Sequence, residues 1–254
     1  MTDLLRDGLS QHTVQKTPLT RKLTVDGTTE AYPVYRIKLD LLYYNDQNDR
    51  IATWISQYRS QHGGRAPEPA DREAYNQIIE GFLVESNPDA IRKTKANIKL
   101  VDQREPGVVL NDGRIIDGNR RFTCLRQLSA EDTKFGWFEA VILDRSIERS
   151  AKQIKLLELS IQHGEEGKVD YDPIDRLVGV YHDILETGLL SPEEYARSTN
   201  ESVTDVKKRM ELAELMVELL EFINAPGQFH IARELKLYYP LEELQKLLKK
   251  CRTE

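Results

Sequence analysis

The sequence predicts an α+β protein, with a small mixed sheet and its helices in the N-terminal part and an all-helical region after it. Two short apolar runs, Ile115-Ile116 and Phe138 to Leu143, have strand character and lie among helical patterns. From Ile147 onward the hydrophobic period changes from two to about 3.6 and stays there. With 254 residues, 39% of them hydrophobic, the chain suits one large domain or two ordinary ones with real cores.

Composition narrows the function classes. The apolar runs are only a few residues long and Met1 to Lys22 is polar, so neither a signal peptide nor a membrane span is expected, and the expected location is cytoplasmic. Cys124 and Cys251 are far apart, with no CxxC or His-rich neighbourhood, which argues against a disulfide framework and a structural zinc site. His62 and His163 have no metal spacing and are expected at the surface. A net charge of −6 disfavours a protein that coats nucleic acid by electrostatics alone.

In chain order, residues 1–30 lack a clear hydrophobic period and are expected to form an N-terminal arm. A domain over residues 31–146 follows. Within it, Ile51 to Tyr58 reads as a helix, the Gly- and Pro-rich stretch 61–69 as a loop, and 71–85 as an inserted helix with Asp71 at its N-cap. Phe138 to Leu143 closes the sheet. The region 147–254 is read as helical. Ile147, Ala151, Ile154, Leu157 and Ile161 trace one stripe ended by Gly164, and Ile174, Leu177, Tyr181 and Ile184 a second. Val206, Met210, Ala213, Val217 and Leu220 trace a third; Leu241, Leu244 and Leu248 trace a fourth after the break at Asn224 to Gly227. All four stripes are expected to be core.

The densest chemistry lies at 111–126. An Asn-Asp-Gly turn leads into Ile115-Ile116, then Asp117-Gly118, then a helix carrying Phe122, Leu125 and Leu128 on one side. A glycine able to take φ > 0, free N–H groups at the start of a helix, and Arg120 and Arg121 form a natural phosphate site. The plainer reading makes Gly118 a turn and the arginines a solvated face. Asp117 suits either capping of the helix or coordination of Mg²⁺ through oxygen.

Asp117-Gly118-Asn119-Arg120-Arg121 resembles the Asp-Gly-x-His/Arg-Arg box of the ParB/sulfiredoxin superfamily, and the resemblance runs from Tyr35 to about Leu237 in the same order. Tyr35 to Asp40 is similar to the family's first strand and Asn45 to Arg50 to its asparagine- and arginine-containing loop. Ile91 to Val101 is similar to its first helix, Glu105 to Leu110 to the Pro-containing lead into its next strand, and Tyr171-Asp172-Pro173-Ile174-Asp175 to the start of the helical domain of partition proteins. The resemblance implies that Gly118, Asn119, Arg120 and Arg121 hold the phosphates of a nucleoside triphosphate, CTP or ATP, with Asn48 and Arg50 approaching it; if the cleft is that of an enzyme, Asp117 is the candidate catalytic base. It departs from the pattern in two places. The second phosphate and metal motif, Glu-Asn-x-Gln-Arg, aligns with Leu159 to His163, which lacks its hard oxygen ligands and weakens the case for Mg²⁺. Asn119 stands where sulfiredoxin has its reactive cysteine, so that chemistry is not expected.

Ser191-Pro192-Glu193-Glu194 is a helix start with a capping box, and a turn at Thr199 to Ser202 followed by a helix from Val203 has helix-turn-helix spacing, with Asn200 suited to φ > 0. Ser202, Thr204, Lys207, Lys208 and Arg209 are the residues expected to meet duplex DNA. Against this, residues 169–221 carry five Lys or Arg and thirteen Asp or Glu, a net of −8, and affinity for DNA depends mainly on neutralising phosphates. The expected function is a nucleotide-binding, DNA-associated regulator or partition-type protein of a chromosome, plasmid or mobile element. Two alternatives stand beside it: an enzyme of the same fold, a small-molecule kinase, NTPase or nuclease, in one variant serving defence; and an interaction module, with a protein partner or a homodimer.

Overall fold

The computed structural model describes residues 3–25, 27–144, 147–164 and 172–253, with backbone alone at 147–149, 163–164 and 252–253. Tyr171 and the side chains of Ile147 and His163 therefore lie outside the described residues. The fold is α+β: a five-stranded sheet near the N-terminus, then helices. The chain forms two compact units, residues 1–45 with 68–161, and residues 46–67 with 162–254. It thus passes between units three times, where the sequence suggests one division near residue 146.

The sheet unit begins with a long hairpin. Strand β1, Val14–Val25, pairs antiparallel with β2, Thr28–Lys38, with an irregularity between Lys16 and Thr20. The arm expected over residues 1–30 is therefore corrected: it holds a π-type turn at Leu4–Gly8, all of β1 and the first residues of β2. Burial in β1 is confined to Val14, Leu23 and Val25, which is why the strand shows little hydrophobic period. Strand order is β1-β2-β5-β3-β4, with β3 at Gly107–Leu110, β4 at Ile115–Asp117 and β5 at Trp137–Leu143. Among the described strand pairs only β3 and β5 run parallel.

Three helices of this unit precede or follow the central strands: α2 (Arg72–Ser86), α3 (Pro88–Val101) and α4 (Asn119–Ser129). Asp71 caps α2 through Ala74 N–H, as its position suggests. Phe122 on α4 is fully buried between Tyr44 and Phe138, edge-on to both rings. The other sheet face buries Val34, Val141 and Leu143 with Ile154, Leu157 and Ile161 of α5, Ile147–Gly164. So α5 packs with the sheet, and of the helices after residue 146 only those that follow it belong to the second unit.

The helical unit joins α1 (Ala52–Gln61) to α6 (Pro173–Val180), α7 (Pro192–Thr199), α8 (Val203–Phe222), α9 (Phe229–Glu234) and α10 (Tyr238–Thr253). Helix α1 packs against α6 and α9. The core gathers Ile174, Leu177, Leu212, Ala213, Met216, Leu220, Phe229 and Leu241. The second stripe ends in a π-type turn over Tyr181–Glu186. In the third, Met210 and Val217 are only partly buried and Leu212 and Met216 take their places. The fourth stripe differs more: of its leucines Leu241 alone is buried. Among the described residues no helix is long and apolar enough to cross a membrane.

Candidate functional site

Strand β4 ends at Asp117, and Gly118 turns the chain into α4 with φ +99° and ψ +17°. A Cβ at that position would lie 2.8 Å from Phe138 Cζ and 3.2 Å from an Arg121 nitrogen. Glycine is needed here for both conformation and space. No side chain caps α4, so its first turn keeps the amide polarity that favours anions. Gly118→Val is expected to cost about 1–3 kcal/mol from backbone strain alone, with the ring contact adding to it. Thermal unfolding checks this, and an unchanged melting temperature would contradict the strained turn.

Asp117 does not cap the helix. Its carboxylate is buried, and Oδ2 accepts from Arg21 at 2.8 Å and from Arg121 at 3.0 Å. Arg21, on β1, also donates to the Pro106 carbonyl at 2.6 Å. Two guanidiniums thus converge on one buried carboxylate beside the start of α4. Arg121 Nε and Asn119 Oδ1 are both buried without a hydrogen-bond partner in the structure. Buried polar atoms without partners are costly and often mark a missing ligand or water. Arg21 was not identifiable from sequence: it lies 96 positions from Asp117, in a stretch with no motif.

The donor set fits a phosphate: positive charge, an uncapped helix start and an unpartnered guanidinium N–H. A divalent cation fits poorly, since such ions take several oxygen ligands, and no group of three or more His, Cys, Asp or Glu among the described residues is placed to hold one. Arg120 is half-buried in the first turn of α4. Arg126, one and a half turns further on, is tied to Glu80 at 2.9 Å and Glu73 at 3.0 Å and stays out of the box. Cys124 is fully buried with its thiol pushed up to about 11 by burial, which makes it inert as a nucleophile.

The loop residues divide between the units. Asn45 belongs to the sheet unit, where Nδ2 donates to Glu158 Oε2 at 3.3 Å. Asn48 and Arg50 belong to the helical unit, and Asn48 Oδ1 accepts from Arg50 N–H at 3.0 Å to start a short 3-10 turn. On α5, Leu159 stands at the motif's acidic position, and its neighbour Glu158 is a buried acid.

The helix-turn-helix-like segment forms as a local structure. Ser191 and Glu194 make the capping box, and Asn200 closes α7 with φ +55°. Ser202 caps α8 by accepting from Asp205 N–H, and Thr204, Lys207 and Lys208 are exposed. Arg209 differs from its expected role: its side chain is 16% exposed and donates to Glu201 at 2.8 Å. The segment therefore presents two exposed lysines instead of a cluster of three cations, on a stretch of net charge −8.

No protein-family model matches the chain, and no curated protein matches it.

Proposed function

We propose that the chain is a nucleotide-binding protein of ParB-like type whose phosphate site is the start of α4. The observation that carries this reading is the left-handed Gly118 opening an uncapped helix next to the Arg21–Asp117–Arg121 cluster, with Arg121 Nε buried and unpartnered. In this reading Asn119 and Arg121 face the phosphates, Arg120 adds charge in the first turn, and Asp117 positions the arginines instead of acting as a base. The order of strand, helix, strand, box and helix along the sheet unit supports it too. The helix-turn-helix-like segment, with Lys207 and Lys208 exposed on a stretch of net charge −8, favours association through protein surfaces over tight contact with duplex DNA.

Calorimetry with ATP, CTP and GTP tests the site. Binding of at least one is expected, and Arg120→Ala and Arg121→Ala are each expected to weaken it by roughly ten- to a hundred-fold, the loss of one hydrogen bond to a charged group. Silence toward all three nucleotides, or unchanged affinity in both variants, would refute the assignment.

A further inference from the structure

The C-terminal helix α10 has more apolar surface than its own unit covers. One side of it packs on α8 through buried Leu241, with Gln245 Nε2 donating to the Lys208 carbonyl and to Glu211, and Lys249 paired to Glu211 at 2.6 Å. At 100° per residue, Leu244, Leu247, Leu248 and Cys251 fall together on the adjacent side, in a stripe about 100° wide. Leu247 is 61% exposed, Leu244 40% and Leu248 38%, and Cys251 is exposed. Single exposed leucines are ordinary, whereas a continuous stripe of them on one helix is a contact surface.

We infer that this stripe is a self-association surface, on which α10 packs antiparallel against α10 of a second copy. The flanking charges fix both occupant and direction. Glu243 and Lys250 lie on the same border of the stripe, seven residues apart. In an antiparallel pair related by a two-fold axis near Leu247, Glu243 of each copy lies beside Lys250 of the other, while Leu244 meets Leu248 and Cys251. The symmetry repeats each favourable pair. In a parallel pair the two-fold axis runs along the helices and places this border of one copy on the opposite side of the interface from that of the other, so Glu243 and Lys250 could not meet. Glu243 already has an exposed partner in Lys246 at 2.7 Å, an i,i+3 pair that solvent screens and that leaves its second oxygen available. The surface is short, one four-turn helix, so dimerisation in the micromolar range is expected.

Light scattering on the full chain, at concentrations up to about a hundred micromolar, tests the surface. A dimer is expected, converted to monomer by Leu247→Glu with Leu248→Glu; both side chains are substantially exposed, so an unchanged far-ultraviolet spectrum should accompany the loss. A parent that stays monomeric, or a double variant that stays dimeric, overturns the proposal. Direction is tested by charge and by thiol. Glu243→Lys and Lys250→Glu should each weaken the dimer several-fold, because two symmetric pairs are lost at once, and their combination should restore it. Under mild oxidation Leu244→Cys should cross-link to Cys251 of the second copy, while the parent, with Cys251 alone, should not. Within one helix positions 244 and 251 are about two turns apart, too far for a disulfide. Cross-linking of the parent through Cys251, or no restoration in the double charge swap, overturns the antiparallel arrangement.

Discussion

Asp117→Ala is expected to destabilise the sheet unit by about 3–5 kcal/mol, the range seen when one partner of a buried ion pair is removed and the others stay behind. Arg21 and Arg121 have side-chain exposures of 12% and 18%, so neither can recover its hydration by turning outward without rearranging β1 or α4. Asp117→Asn keeps an acceptor oxygen and should cost less. The pair of variants separates charge from shape: equal losses would mean that the carboxylate's charge contributes nothing. Chemical denaturation at neutral pH measures both.

A second large effect follows from Asp175, buried on α6 with Oδ1 accepting from the Thr53 N–H at 3.0 Å. Burial pushes its carboxyl from 3.8 up to about 7, outweighing the hydrogen bonds from Thr53 and the nearby Arg233. Since the folded state holds this proton over a range where the unfolded state has released it, stability falls as pH rises from about 4 to 7 and is constant in this respect above that. The total is up to about 4 kcal/mol at 1.36 kcal/mol per unit. Asp175→Asn should therefore stabilise the protein at pH 8, leave it nearly unchanged at pH 4, and flatten the dependence between them. A variant that melts alike at pH 8 and follows the parental pH profile would show that Asp175 is ionised in the fold at little cost.

Much of the architecture was legible in local patterns. The strand–glycine–helix at 115–129, the capped starts of α2, α7 and α8, and the long helical periods after 147 all depend on residues within a turn or two of one another. What escaped was set by distant partners. Strand β1 carries Pro18 and a register irregularity and buries few side chains, so alternation does not mark it as a strand. The site lost its most informative member for the same reason: nothing near Arg21 signals that it reaches Asp117 across 96 positions. The stripe at Leu244 and Leu248 shows the opposite error, since a helical period says that a face is apolar and not what lies on it. Asp175 is buried beside Ile174 and Leu177, and nothing in its local sequence marks a carboxylate there as buried.

The helical unit is assembled from two pieces of chain, and this sets an order of events during synthesis. Helix α1 leaves the ribosome more than a hundred residues ahead of α6 and α9, the helices it packs against. At about 5–20 residues per second it waits on the order of ten seconds for them. The sheet unit, complete once α5 has emerged, can form during that wait; the helical unit cannot. A fragment starting at residue 162 would lack Thr53, Gln57 and Trp54, and with them the partners of Asp175 and Arg233. The last unit to fold is thus also the one that needs a segment made early.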